Sequence, residues 1–195
     1  MIRFFLILLL FASLLLEAQV STFYLAVQPV STLTVQGKTN VNKYACAIDR
    51  YMGSDTLVIK GEKGKGATFT KGVVKLQATE FDCNINVITK DFQNTIDAET
   101  FPYIVIDFAS FAQEPTFQTT EEKFKGKLTL SLAGKSKSVE IRCAIKKDEK
   151  GDFHLTGHKN FTFSDFGLKP PSKMLGTIKV QEKITVNFHL VLQKI

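Results

Sequence analysis

The feature that most constrains the fold of this sequence is a period-two alternation of apolar and polar residues, which recurs along most of the chain. It is clearest in residues 124–132, 139–145 and 153–163, where apolar side chains share one parity and mostly polar ones take the other. Successive side chains of an extended strand point to opposite faces, so this alternation is typical of strands with one buried and one exposed face. It predicts an all-β fold.

Short turn sequences separate the alternating segments and indicate antiparallel pairing. Ala133-Gly134-Lys135 predicts a hairpin turn, and the charged residues 148–152 predict a second one. Helical spacing appears only at 89–98, where Phe92 and Ile96 lie four residues apart and Pro102 bars a longer helix. Further strands are predicted at 33–35, 44–48, 57–59, 68–81, 103–111 and 178–192. We therefore expect about eight or nine antiparallel strands and one short helix.

The alternation leaves two architectures open. Strands with one apolar face must either close on themselves or cover a second sheet. A two-sheet sandwich buries the same faces as a closed barrel, but a barrel of about eight strands also has an interior wide enough for one small ligand. The sequence has 17 Phe and no Trp, which predicts a phenylalanine-rich core in either case.

The first 18 residues have the layout of a secretory signal peptide. Arg3 is followed by residues 4–16, which are apolar except for Ser13, and then by Glu17 and Ala18. A membrane-spanning helix needs about 20 apolar residues, so this run is short for a span, and a retained N-terminal anchor is the alternative. We expect cleavage after Ala18 and export of residues 19–195 as one domain without a stable membrane span.

Charge and composition argue against a nucleic-acid-binding protein. The formal net charge is +6, but the lysines are spread along most of the chain, and the aromatic residues fall mostly in phase with the apolar positions. Nucleic-acid-binding proteins usually concentrate basic residues in one patch and interleave exposed aromatics with them. The lysines are better explained as the solvated face of the strands.

Three cysteines allow one disulfide. Cys143 shares the inward parity of Ile141 and Ile145, which predicts a buried, unpaired thiol. Cys46 and Cys83 are then the candidate disulfide pair. Buried reduced thiols, or a bridge that uses Cys143 instead, stay open at this point.

The sequence offers little of the chemistry that an enzyme needs. His154 and His158 lie about 13 Å apart on a strand, at roughly 3.3 Å per residue, which is too far to share one metal ion. His189 falls on a polar parity, so all three histidines are predicted to face solvent. The sequence contains no phosphate-binding loop, nucleophile elbow or cysteine pair of redox spacing. Glu182 falls on an apolar parity, and a bulge that returns it to solvent is the favoured interpretation. We predict a protein that is not an enzyme and has no cofactor or metal site.

Four segments resemble, in order and spacing, the YceI family of exported bacterial proteins. They are LTVQGKTNVN at 33–42, KDFQNTIDAETFP at 90–102, KGKLTL at 125–130, and FSDFGL at 163–168, which is followed by Pro170 and Pro171. The second segment, a short helix with an aromatic-proline pair after it, is the most specific. The resemblance extends over nearly all of residues 19–195, and the cysteines point to a cysteine-bearing branch.

The resemblance implies an antiparallel lipocalin-like β-barrel of about eight strands with one short helix, in a periplasmic or secreted protein. It also implies that the partner is a polyisoprenoid or fatty long-chain lipid held inside the barrel. The residues expected to line this ligand have inward parity or lie on the helix. They are Phe69, Phe92, Ile96, Phe108, Phe124, Leu128, Leu130, Ile141, Phe161 and Phe163.

Alternatives to a ligand cavity stay open. Core packing also explains each of those ten side chains, because the interiors of small barrels are often filled. A filled barrel would act as a structural or partner-binding protein, and a homodimer is compatible with either interpretation. An enzyme acting on an apolar substrate would need polar groups in the cavity, for which Glu182 and Asp165 are the candidates.

Overall fold

The computed structural model describes residues 20–62, 64–173 and 175–195. Helix α1 spans Asn86–Thr95, and 3₁₀ turns span Ala78–Glu80 and Phe163–Phe166. The strands are β1 (Val20–Val27), β2 (Thr32–Lys38), β3 (Lys43–Ile48), β4 (Thr56–Glu62), β5 (Gly66–Lys71), β6 (Val73–Gln77), β7 (Tyr103–Phe111), β8 (Glu122–Leu132), β9 (Lys135–Lys147), β10 (Phe153–Thr162), β11 (Ser172–Lys173), β12 (Ile178–Lys179) and β13 (Lys183–Lys194). The predicted signal peptide, residues 1–18, lies outside the described residues and stays a prediction.

Eight strands of the described part of the chain close into a barrel. Antiparallel pairing runs in the order β1, β4, β5, β7, β8, β9, β10 and β13, and β13 pairs again with β1 from Leu25–Lys194 to Val27–Leu192. Strand β6 also pairs with β7, and β2 with β3 extends from the first half of β13. The predicted antiparallel barrel with one short helix is confirmed, and the sandwich is excluded.

Some element boundaries differ from the prediction. The strand predicted at 68–81 is broken at Gly72, whose backbone lies too close to the Phe108 carbonyl for any side chain. The helix begins at Asn86, earlier than position 89, because the Asp82 carboxylate and the Thr89 hydroxyl accept hydrogen bonds from the backbone just before it. The strand predicted at 178–192 is interrupted before Lys183, and Glu182 is exposed there, as predicted.

Strand β1 is not predicted by the sequence pattern. Its residues are apolar on both parities, since Leu25 and Val27 are buried while Val20 and Tyr24 are exposed. A strand of this kind gives no period-two signal, although it pairs with β4 along its length and closes the barrel against β13.

Phenylalanine rings fill much of the barrel, as predicted. The Phe108 ring centroid lies 5.4 Å from that of Phe69 and 5.6 Å from that of Phe188. The Phe111 ring contacts Phe124 at 4.6 Å and Phe69 at 4.8 Å. Side chains in such a core pack at a density close to that of organic crystals. These rings therefore form a packed core rather than the wall of an open tube.

The predicted Cys46–Cys83 disulfide is present, and Cys143 is buried and unpaired. Backbone hydrogen bonds between Ala47 and Asp82 run beside the bridge, with N–O distances of 2.8 and 2.9 Å. Burial raises the pKa of the Cys143 thiol to about 12, so this thiol stays protonated and inert. The disulfide attaches the segment before α1 to β3, which belongs to the β2–β3 extension of the sheet.

The prediction that all three histidines face solvent is wrong for two of them. His158 is exposed, but His154 and His189 are half-buried on the outer face, with 2.8 Å between Nδ1 of His154 and Nε2 of His189. The register places Val191 opposite His154, so His189 is its diagonal neighbour across β10 and β13. Nε2 of His154 lies 3.1 Å from an Asp148 carboxylate oxygen. This cross-strand contact depends on register, which alternation does not reveal.

These contacts predict an acid-sensitive stability. Burial and the neighbouring charges of His154 and Lys146 lower the pKa of His189 below its ordinary value of 6.5. The unfolded chain then binds a proton at His189 more readily than the folded chain, so stability falls as the pH drops from about 7 through this window. We expect His189→Gln to flatten the dependence of the unfolding midpoint on pH between about 7 and 5.

The pKa of the Asp148 carboxyl is also lowered, first by the hydrogen bond from His154. Its contribution is present above the unfolded-state pKa near 4 and is lost only as the pH falls through the lower folded value. The His189→Gln variant should therefore still lose stability as the pH falls below about 4, because Asp148 is unchanged in it. Denaturant titrations across this pH range measure both effects, and an unchanged slope between pH 7 and 5 would contradict the assignment to His189.

Candidate functional site

The space enclosed between the inward-facing side chains is small. One apolar cavity of about 40 Å³ lies beneath α1, and another of about 20 Å³ lies further along the barrel. Leu130 and Val186 line both cavities and so separate them. Cavities that hold a drug-sized ligand typically measure about 300–1,000 Å³. As packed, neither cavity has room for a long lipid chain.

A groove of about 580 Å³ opens at one end of the barrel. This end groove lies between the β2–β3 turn, one side of α1, and the β11–β12 hairpin with its flanks. Its volume is within the range of about 300–1,000 Å³ that is typical of ligand sites. The lining is mostly apolar and comprises Thr39, Val41, Asn42, Lys43, Tyr44, Ile85, Val87, Ile88, Asp91, Phe92, Thr95, Phe163, Pro171, Lys173, Ile178 and Val180.

Asn40 joins two of the three walls. Its side-chain amide donates a hydrogen bond to the Thr177 carbonyl at 2.8 Å, and its side-chain oxygen accepts one from the Lys179 backbone at 2.9 Å. The turn that presents Asn40 is shaped by the Thr39 hydroxyl, which accepts hydrogen bonds from the backbone N–H groups of Val41 and Asn42. These bonds satisfy the turn internally and fasten it to the β11–β12 hairpin.

Helix α1 supplies the third wall and is held from two sides. Lys173 of β11 forms an ion pair with Asp91, with 2.6 Å between the charged atoms. On the inner side, the Phe92 ring lies 5.2 Å from that of Phe81, a buried residue two positions before the disulfide cysteine Cys83. Hydrogen bonds and an ion pair therefore hold the three walls of the groove together.

Tyr44, Phe92 and Phe163 line both the end groove and the 40 Å³ cavity below it. These three rings are the floor of the groove and the roof of the cavity. Gly37 lies opposite Tyr44 in the β2–β3 pair, and any side chain at position 37 would overlap the tyrosine ring. Burial raises the pKa of the Tyr44 hydroxyl, so the phenol is neutral. Rotation of these rings would join the groove to the interior.

Phe163 is positioned by polar contacts at the outer end of β10. Thr162 and Asp165 form a reciprocal capping box around the 3₁₀ turn that begins at Phe163. Lys137 of the neighbouring β9 forms an ion pair with Asp165 and holds the pKa of that carboxyl below its ordinary value. Glu182 accepts a hydrogen bond from the Ser164 backbone N–H at 2.8 Å. Both acidic residues thus stabilise the turn that carries one ring of the groove floor.

Comparison with known proteins shows the family to which this barrel belongs. A family model described as a YceI-like domain matches residues 17–192. The chain belongs to the YceI-like family. No curated protein sequence matches it.

Solved structures share the YceI-like barrel at low sequence identity. Burkholderia cenocepacia BcnA aligns with a TM-score of 0.59 and 17% identity, over 83% of this chain and 95% of that one. A polyisoprenoid binding domain from Saccharophagus degradans, implicated in plant cell wall breakdown, aligns with a TM-score of 0.61 and 9% identity, over 90% and 100% of the two chains. The Campylobacter jejuni YCEI protein aligns with a TM-score of 0.51 and 16% identity, over 71% and 80%. At these identities the likeness shows the fold alone.

The ten residues expected to line a ligand in this YceI-like barrel divide by position. Phe92 and Phe163 lie at the end groove, and Ile96 joins them around the 40 Å³ cavity. Leu130 borders both cavities, while Leu128, Ile141 and Phe161 line the smaller one. Phe69, Phe108 and Phe124 belong to the stacked core and lie outside the groove and both cavities. A ligand role for any of the ten stays a prediction.

Sequence reasoning missed the groove itself. Its outer walls come from Val41, Ile88 and Val180, which lie in a turn, on the helix and beside a two-residue strand, where no period-two pattern exists. Tyr44 lies two residues after the first segment that resembles the YceI family, and its place on the groove floor depends on Gly37 opposite it. Only the folded chain brings these segments together.

Within residues 20–62, 64–173 and 175–195, no group of three or more His, Cys, Asp or Glu side chains is arranged to hold a metal ion. Over the same residues, no helix has the length and apolar character needed to cross a membrane.

Proposed function

We propose that this YceI-like protein is an exported lipid-binding protein, which takes an isoprenoid-like or other long-chain apolar ligand through the end groove into the barrel. The observation that carries the proposal is the set of three rings, Tyr44, Phe92 and Phe163, shared by the groove and the cavity below it. The end of a chain lying in the groove meets only these rings between itself and the apolar interior.

The energetics favour a chain-like ligand. Each CH₂ group removed from water contributes about 0.8 kcal/mol, so burial of a few isoprene units offsets the cost of moving a ring to another rotamer. The groove walls offer apolar contact along the ligand and few polar groups that need a partner. A long, flexible, apolar molecule suits this geometry better than a compact polar one.

The acidic residues support binding rather than catalysis. Asp91 is paired with Lys173, Asp165 caps the 3₁₀ turn and pairs with Lys137, and Glu182 holds the same turn. The two candidate catalytic carboxylates, Asp165 and Glu182, therefore both have a structural role in the fold. We infer that the protein is not an enzyme.

We also propose a periplasmic or secreted location. The N-terminal residues 1–18 have the layout of a signal peptide, and the Cys46–Cys83 disulfide suits an oxidising compartment.

A second candidate, a filled barrel that binds a protein partner, is favoured by the small volume of the interior cavities. The two candidates differ in what the groove does. The first needs the groove to admit a lipid chain, and the second does not.

A charged groove wall distinguishes them. Ile88 is half-buried and lines the groove, so Ile88→Glu places a carboxylate that a bound chain would have to desolvate. We expect the affinity for a fluorescent long-chain fatty acid to fall about tenfold or more, whereas Ile88→Met should retain it. Fluorescence titration measures both, with thermal unfolding as the check on folding. Equal, unchanged affinity in the two variants would exclude the groove as the lipid site, and a parent protein that binds no fatty acid would favour the filled barrel.

A further inference from the structure

The end groove is surrounded by exposed apolar side chains. Val41 is 61% exposed, Ile85 56% and Val87 67%, and all three line the groove. Leu175, in the turn between β11 and β12, is fully exposed. These four residues, which we call the apolar rim, come from the three separate segments that form the groove walls.

The fold itself does not need apolar residues at these positions. The β2–β3 turn is held by the Thr39 hydroxyl and by Asn40, and the start of α1 by Asp82 and Thr89. None of these bonds uses a rim side chain. Large apolar groups clustered at the mouth of a groove, and rimmed by polar residues, are typical of an interaction surface.

The charges around the rim are mostly positive. Lys43 lines the groove, and Lys90 lies three residues after Val87, on the same side of α1. Lys179 is exposed on β12. Of the nearby carboxylates, Asp91 is neutralised by Lys173 and Asp82 accepts hydrogen bonds within the helix start. Lysines beside exposed apolar groups suit a surface that is both anionic and apolar.

We propose that the apolar rim docks on an anionic lipid bilayer, with the end groove opening toward the acyl chains. This rests on the proposed function, because a bilayer is where a long-chain ligand would be collected or delivered. The four rim side chains would enter the boundary between headgroups and acyl chains, and the lysines would lie among the phosphates. A bilayer can receive side chains from the three rim segments at once, since its surface adapts to their shape.

The expected binding is weak, reversible and dependent on charge. Each lysine at an anionic membrane contributes about fivefold in affinity, and a few shallowly inserted side chains give far less than a spanning helix. Salt should weaken the binding, because exposed charges are screened over about 10 Å at 0.1 M ionic strength.

Vesicle co-sedimentation tests the docking directly. We expect the protein to bind phosphatidylcholine vesicles that contain phosphatidylglycerol, and to bind phosphatidylcholine alone about a hundredfold more weakly. The double variant Val41→Asp with Val87→Asp should lose about tenfold or more of the binding to anionic vesicles. Val30→Asp is the matched control, since Val30 is 64% exposed in the β1–β2 turn, at the opposite end of β2. It should bind like the parent protein.

Two outcomes overturn the docking proposal. One is a parent protein that binds neither kind of vesicle, and the other is an equal loss in the rim and Val30 variants. Lipid content measured on the same samples separates this proposal from the proposed function. Leu175 belongs to the rim but does not line the groove, so a Leu175→Asp variant that still retains lipid supplied in detergent, but sediments less, supports docking. A protein that sediments through its rim yet never holds lipid overturns the proposed function and leaves docking intact.

Discussion

Removing the Cys46–Cys83 disulfide should lower the free energy of unfolding by about 4 kcal/mol. The two cysteines lie 37 residues apart, and closing a loop of that length reduces the entropy of the unfolded chain by about this amount. Denaturant unfolding of the Cys46→Ala, Cys83→Ala double variant measures the loss. Hydrogen exchange should also show faster opening of α1, because the bridge attaches the segment before the helix to β3.

Cys143→Ala is the control for this experiment. It removes a buried thiol that makes no bridge, so its loss should be near 1 kcal/mol and the variant should still be destabilised by reductant. If the double variant and the parent unfold at the same denaturant concentration, the disulfide does not stabilise the folded protein.

Leu130→Ala should both destabilise the protein and increase its capacity for an apolar ligand. Leu130 is buried and separates the 40 Å³ cavity from the 20 Å³ cavity. Removing its side chain joins them and costs about 3 kcal/mol through lost packing. If the barrel interior is a lipid site, a ligand that enters the enlarged cavity restores part of that loss. A ligand at about one hundred times its dissociation constant adds about 2.7 kcal/mol.

Leu155→Ala is the control that separates the effect of ligand binding from the effect of lost core packing. Leu155 is equally buried but lines neither cavity, so its loss of stability should be similar. Thermal unfolding with and without farnesol compares the two variants. We expect a larger upward shift with farnesol for Leu130→Ala than for Leu155→Ala. Equal shifts would mean that the joined cavity is not a binding site.

The antiparallel strands were predictable from the sequence because the long ones alternate cleanly, whereas the closed barrel was implied by the resemblance to the YceI family. Residues 124–132 and 139–145 put their apolar side chains on one face, and the turn at Gly134 joins them as a hairpin in the structure. The inward parity of Cys143 made Cys46 and Cys83 the candidate pair, and the structure decided between that disulfide and the alternatives. Strand β1 was not predictable, because residues on both of its faces are apolar.

The groove and the histidine contact depend on information that local patterns lack. His154 and His189 meet because of the register between β10 and β13, which a one-residue slip would change. Val41, Ile88 and Val180 meet because hydrogen bonds from Asn40 and the ion pair of Asp91 with Lys173 bring three segments together. Alternation locates strands and faces, whereas a site at a barrel end is made by the segments between strands.

The measurement that tests the proposed function most directly is native mass spectrometry of protein recovered from cells that express residues 1–195, followed by solvent extraction and lipid analysis. We expect a polypeptide that begins at Gln19 and carries one long-chain lipid, which is released on denaturation. A protein of bare polypeptide mass that also fails to take up added isoprenoid quinones or fatty acids would contradict it, and would identify the barrel as a filled one.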